Sequence, residues 1–210
     1  MAAKNYGDDE RARRTLAQEA ARIIVEQGIR DYRVAKMKAA ERLGMNTRGS
    51  LPRNAEIERA ISNHLALFDG DSHPDLLRLM RETALSAMDL LSAYTPRLIG
   101  PVLHGTADEN SAINLHVFSD SPECIATQLD AMGYNYRSYE RRLKTSRGRG
   151  AKPETFAGFR FELEDACVEA TVFPVDGIRQ SPISPIDGKP MKRLDMKGVR
   201  ALLEKGSDPA

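Results

Sequence analysis

The sequence is short of cysteine, of long apolar runs and of net charge, and each shortage removes a class of function. Cys124 and Cys167 are its only cysteines. Two isolated thiols make neither a zinc cluster nor a disulfide framework, so a reduced, cytoplasmic protein is expected. No apolar run approaches the roughly 18 residues of a membrane span. The segment Met1 to Arg14 is polar and charged, without the apolar centre of a secretory signal. No membrane partner is therefore expected. The 31 basic and 30 acidic side chains leave a formal net charge of +1. The molecule as a whole has no bias toward nucleic acid or lipid surfaces. There is no internal repeat and no long low-complexity segment.

What is present suits one domain or two small ones. The chain has 210 residues, 41% of them apolar and 29% charged, enough to build a core in an ordinary soluble protein. The first 94 residues read as helical. Asp8 to Gln27 carries Leu16, Ala20, Ile23 and Ile24 near a 3.6-residue period, with Asp8, Asp9 and Glu10 suited to a helix start. Asp31 to Leu43 repeats the pattern with Val34, Met37, Ala40 and Leu43 in phase, and Gly44 as its stop. Asn46 to Arg53 reads as a loop, and Asn54 as the cap of a third helix with Ile57, Ile61, Leu65 and Phe68 in one stripe. After a turn at Gly70 to His73, Pro74 opens a fourth helix that runs to about Leu90.

At Tyr94-Thr95-Pro96 the pattern changes. Strand-like runs follow at Leu98 to Leu103, Ile113 to Phe118, Tyr134 to Leu143, Phe156 to Leu163 and Cys167 to Phe173. A helix from Pro122 to Met132, ended by Gly133, separates the second run from the third. Pro174 to Pro190 reads as an extended wrap, and Leu194 to Lys205 as a closing helix. The expected fold is α+β: a helical domain over residues 1–94, then a domain built on a mixed sheet over 95–210.

The segment that bears on chemistry is Gly100 to Ala107 with Ser111 to Phe118. An apolar strand runs to Gly105-Thr106; five residues later Ser111 opens a second strand, Ala112-Ile113-Asn114-Leu115-His116-Val117-Phe118. Residues two apart on a strand share a sheet face, so Ala112 and Asn114 occupy the kind of positions from which a pair of carboxylates holds two metals. Asn114 and His116 share that face, and Glu169 lies on a strand able to pair nearby.

This arrangement resembles the DNA-polymerase-β-like nucleotidyltransferase superfamily, in which a strand, a Gly-Ser turn and a Ser-Asp-x-Asp strand follow in that order. The resemblance covers roughly residues 80 to 175. It implies that Gly105 and Thr106 stand for the Gly-Ser turn and Ser111 for the serine before the acids. Val168 to Phe173 then stands for the third-acid strand with Glu169 as the acid, and Arg81 to Tyr94 for the preceding helix. By the same resemblance Gly105, Thr106, Ser111, Asn114 and His116 would hold a nucleoside triphosphate, and Glu169 a magnesium ion. The chain is also similar to a bacterial nucleotidyltransferase-like family sometimes labelled muramate–alanine ligase, through Pro96 to Leu103, Leu115 to Phe118 and Ser184 to Met191. The ligase function is rejected, since the chain lacks a glycine-rich loop ending in Gly-Lys-Ser/Thr and is too short for three domains.

The two Asp positions hold Ala112 and Asn114. Alanine cannot bind metal, and a neutral amide is a poor magnesium ligand. Asp108 and Glu109, between the turn and Ser111, are the nearest loop acids. Two expectations follow: a nucleotidyltransferase-like protein that binds a nucleotide over a degenerate metal site, or a non-catalytic module that recognises a nucleotide, RNA or a protein partner. A cleft with no ligand is the third. Each residue also has a plain structural alternative. Gly105-Thr106 serves equally as a tight connection, Glu169 as a solvent-facing strand residue, and His116 as a structural histidine. The basic run Arg141, Arg142, Lys144, Arg147, Arg149 and Lys152, with Gly148 and Gly150, is either a solvated hairpin loop or a phosphate contact.

Overall fold

N-terminal helices followed by a five-stranded mixed sheet with its own helices make up this α+β chain in the computed structural model, which describes residues 2–29, 31–45, 51–68, 72–146 and 152–205. It divides into two units, Met1–His73 with Pro185–Asp187, and Pro74–Ser184 with Gly188–Ala210. Asn46 to Ser50, Gly70, Arg147, Gly148, Arg149 and Gly150, all of which carry expectations from sequence, lie outside the described residues. No helix among the described residues is long and apolar enough to cross a membrane.

The first unit is built from α1 (Ala2–Gln27), α2 (Tyr32–Arg42) and α3 (Asn54–Phe68). α1 begins at Ala2, ahead of the acidic cluster expected to start it. Asp31 caps α2: its backbone is extended, and its carboxylate accepts from the Arg33 and Val34 amides. The apolar phase expected for α2 is rotated. Val34, Met37 and Leu43 are exposed, while Ala35, Ala39 and Ala40 are buried with Ala17, Ala20, Ala21 and Ile23 of α1. Alanine faces let helix axes approach closely, so the small residues decide the interface. On α3 the stripe Ile57, Ile61 and Leu65 is buried as the period requires; the Phe68 side chain is outside the described set. Its cap differs from expectation. The Arg53 amide donates to Glu56 Oε2 at 2.6 Å, as in half of a capping box. Asn54 instead accepts from Lys36 Nζ and donates to the Pro185 carbonyl.

The second unit opens at Pro74, within α4 (Ser72–Leu90), and goes on to a 3-10 turn, Ser92–Tyr94. It continues with β1 (Arg97–Ile99), α5 (Gly100–His104), β2 (Ile113–Phe118), α6 (Glu123–Ala131), β3 (Tyr136–Leu143), β4 (Glu154–Leu163), β5 (Ala166–Phe173), a 3-10 turn at Val175–Arg179 and α7 (Met196–Lys205). The sheet order is β1-β2-β5-β4-β3; β2 and β5 are parallel and the other pairs antiparallel. One face is the core. Leu98, Ile113, Leu115, Val117, Phe159, Phe161, Val168, Ala170 and Val172 pack there with Leu77, Met80, Ala84 and Met88 of α4, Ile125 and Leu129 of α6, and Val199 and Leu202 of α7. Side chains alternate along each strand, so the intervening residues stand on the opposite face.

The run Leu98 to Leu103 is not one strand. β1 ends at Ile99, Gly100 turns the chain at φ +74° and opens α5, and Pro101 follows in its first turn, where its missing amide proton costs nothing. α5 stops at Gly105, itself left-handed at φ +76°. The buried Arg81 of α4 donates from Nε to the Val102 carbonyl and fixes this short helix.

Candidate functional site

The face of the sheet opposite the core is ordered by its register into cross-strand rows. One row runs Ile99, Asn114, Glu169, Arg160, Arg137 across β1, β2, β5, β4 and β3. The next runs Arg97, His116, Thr171, Gly158, Tyr139; beyond it Phe118 pairs with Phe173 and Phe156 with Arg141, and the Phe156 and Phe173 rings, 4.4 Å apart, join these two pairs into a third row. Asn114 and Glu169 are thus direct neighbours, and His116 lies one row away. Asn114, His116, Glu169 and Thr171 are all buried polar residues in a largely apolar sheet.

Arg141 starts in the third row and reaches back to the first. Its guanidinium passes over the Tyr139 ring, 5.3 Å from the centroid. Nη2 donates to Glu169 Oε2 at 2.6 Å and Nη1 to Asn114 Oδ1 at 3.3 Å. Arg160 approaches the other carboxylate oxygen, Oε1, at 3.5 Å and donates from Nε to Cys167 Sγ at 2.9 Å. Asn114 Nδ2 donates to the Ala112 carbonyl at 2.9 Å. Both ends of the Asn114 amide and both oxygens of Glu169 therefore have protein partners. Tyr139 is held flat beneath Arg141. Its hydroxyl pairs with Thr171 Oγ1 at 2.9 Å, and its ring fills the space over Gly158, where a Cβ would lie 2.3 Å from the ring carbon Cζ.

His116 is fully buried. Its Nδ1 accepts from Arg193 Nε at 3.0 Å, so the imidazole proton belongs on Nε2, which has no hydrogen-bond partner. Burial first, then the nearby Arg193 and Arg141 charges, push its pKa well below the ordinary histidine value and keep it neutral. Arg193 itself lies over the Phe118 and Phe173 rings, 5.0 Å from each centroid, and donates to the Gly177 carbonyl. Burial lowers the Arg193 pKa to about 10, with the Arg97 charge adding to the shift.

The loop residues are distributed differently from the strand residues. Gly105 and Thr106 form the C-terminal end of α5, both amides bonded to the Pro101 carbonyl. The Ser111 hydroxyl donates to Asp108 Oδ1 at 2.8 Å and accepts from the Asp108 amide, which closes the loop on itself. Asp108 Oδ1 also accepts from the Asn110 amide. The turn that follows the first strand directly is Gly100-Pro101. A Cβ on Gly100 would meet Asn114 Nδ2 at 3.4 Å, so this glycine lies against the strand of the acid positions.

A magnesium ion finds a poor donor set here. Ala112 offers no ligand, the Asn114 oxygen accepts from Arg141, and Glu169 is the single carboxylate, already paired with two guanidiniums. Hard divalent cations need several oxygen donors and repel a neighbouring cation. Among the described residues no group of three or more His, Cys, Asp or Glu side chains could hold a metal. The residues present do not fit the ion.

Comparison of the chain with family models, with curated proteins and with solved structures finds no match.

The strand residues Asn114, His116 and Glu169 were legible as a group because period-two alternation fixes their face. The partner that organises them was not. Arg141 stood in the sequence only as one member of a basic run, and Arg160, Arg193, Tyr139 and Gly100 stood outside the candidate set. One signal was available: Arg137, Tyr139 and Arg141 alternate on one face of a strand that must lie near a lone buried acid.

Proposed function

We propose that the sheet-bearing unit is a nucleotidyltransferase-like module that has given up metal-dependent catalysis and binds a phosphate-bearing ligand, a nucleotide or RNA, without metal. The observation that carries this reading is Arg141. Its guanidinium bridges Asn114, in the second of the paired acid positions, and Glu169, on the adjacent strand where the third acid is expected. A fixed positive charge there offsets the one remaining carboxylate, as a divalent ion offsets three in a two-metal site. The order of α4, β1, the Gly100 turn, β2 and the neighbouring β5 supports the likeness to that superfamily. In that alignment Gly100-Pro101 takes the place of the Gly-Ser turn, and proline brings no hydroxyl to a triphosphate. Fold alone does not carry activity, so the reading rests on the site.

The test is calorimetry of the purified protein with ATP, GTP, CTP and UTP, in magnesium and in chelator, with an assay for released pyrophosphate. Binding of the same strength in both buffers and no pyrophosphate is the expected result. Binding that needs magnesium and disappears in Glu169→Gln overturns it. A rebuilt site gives the converse: Ala112→Asp, Asn114→Asp and Arg141→Ala together should make the melting temperature rise with magnesium, which the wild-type protein should not do.

A further inference from the structure

The β3–β4 hairpin places two like charges face to face. Arg137 and Arg160 are direct partners in the antiparallel register. Directly opposed like charges weaken a strand pair, so a hairpin selected for stability alone would not carry them. Arg160 shares Glu169 and bonds Cys167. Arg137 is exposed and has no acidic partner among the described residues. Four residues further along the same face of β3 is Arg141. Three guanidiniums therefore share this face with Glu169 and Glu162, a local excess of one positive charge (three minus two). Glu162, one rung further along β4, makes no ion pair with any of them.

The three also stand on a rigid floor. The Tyr139 ring is pinned between Gly158 below and Arg141 above, with its hydroxyl on Thr171. Arg141 is fixed by its two bonds to Asn114 and Glu169. The Arg160 side chain keeps half of its surface open at 51% exposure. Planar guanidinium forks suit the oxygens of a phosphate, which accepts from two donors at once; Arg141 and Arg160 are held by their contacts, and the exposed Arg137 is free to turn onto the same ligand. A phosphate there also removes the Arg137–Arg160 repulsion.

We infer that Arg137, Arg160 and Arg141 form a metal-free site for the phosphate groups of a nucleotide or of a nucleic-acid backbone. This names the ligand-holding residues of the same sheet face and rests on the non-catalytic reading above. Nucleic-acid binding at this site reads phosphate and not sequence, and it weakens with salt.

The experiment uses the full chain in chelator and three probes: inorganic pyrophosphate, ATP and a twelve-nucleotide single-stranded RNA. Wild type is compared with the double variant Arg137→Gln, Arg160→Gln. Expected is pyrophosphate binding that weakens by about tenfold or more in the double variant, the loss that follows from removing charge-assisted hydrogen bonds, with a melting temperature that is unchanged or raised. RNA binding whose log–log salt slope falls by roughly 1.4 in the variant, about 0.7 for each lost contact to a single strand, identifies a strand backbone as the source. ATP binding without RNA binding identifies a free nucleotide. Failure of all three probes, or equal binding to both proteins, overturns the site. Equal binding to both proteins overturns this site alone and leaves metal-free ligand binding standing, whereas failure of all three probes, or magnesium-dependent turnover, removes that reading as well.

Discussion

Arg141 Nη2 lies 2.6 Å from Glu169 Oε2, and this contact joins the third row of the sheet face to the first. Glu169 is buried, so its charge depends on partners rather than on water. Arg141→Ala leaves only Arg160, at 3.5 Å and half exposed. The loss should be about 1–3 kcal/mol of unfolding free energy, below the range for a fully buried pair because Arg141 is itself partly exposed. Glu169→Gln should cost less, and the double variant less than the two losses added. Urea unfolding of the four proteins gives the coupling energy. A coupling near zero would mean that the two side chains are neighbours without being partners.

The Tyr139 ring sits where any side chain at position 158 would stand, so Gly158 is required by space and not by backbone angle. The Cβ of Gly158→Ala would meet ring carbons at 2.3 and 2.5 Å. Overpacking of this kind costs typically 1–3 kcal/mol. The same substitution in a Tyr139→Ala background should cost far less, since the obstacle is gone. Melting temperatures of the four combinations check it, and an equal cost in both backgrounds would place the strain elsewhere.

The second half of the chain was the more legible because a strand pattern of period two leaves little freedom. Ile113 to Phe118 falls where alternation puts it, whereas the extended wrap expected from Pro174 opens instead with the 3-10 turn Val175–Arg179. The break at Ile99 was hidden because Val102 and Leu103 are apolar and buried, as a strand would be; Gly100-Pro101 was the overlooked sign of a turn followed by a helix start. Likewise the β4–β5 turn uses Glu164 and Asp165, both at positive φ, in place of the glycine or asparagine that would have marked it. The site was half legible. Strand parity put Asn114, His116 and Glu169 on one face, but Arg141 belongs to it through a strand pairing distant in sequence. Local pattern carries no information about that.

On α2 the larger apolar residues misled and the alanines decide. Ala39 is wholly buried, whereas Val34 is 43% exposed. Ala39→Leu should destabilise the helical unit by about 1–3 kcal/mol through overpacking. Val34→Lys should change stability by less than about 0.5 kcal/mol. The apolar phase read from the sequence gives the opposite order, so chemical denaturation of the two variants separates the two faces directly.

His116 makes the fold sensitive to acid. Its pKa in the folded chain lies well below 6.5, first because it is buried and then because Arg193 and Arg141 are close. The unfolded chain takes up a proton as the pH falls through about 6.5 while the folded chain does not, so the unfolded state gains and stability falls. Above that pH both states are neutral and the residue has no pH effect. The loss should grow by up to about 1.4 kcal/mol for each unit below 6.5, until the folded histidine titrates as well. At that point Nδ1 can no longer accept from Arg193 Nε, and two cations stand side by side under Phe173. Urea midpoints at pH 7.5, 6.5 and 5.5 for wild type and His116→Gln measure the effect. The wild-type slope between the two lower values should exceed that of the variant; parallel slopes would assign the acid sensitivity to other groups.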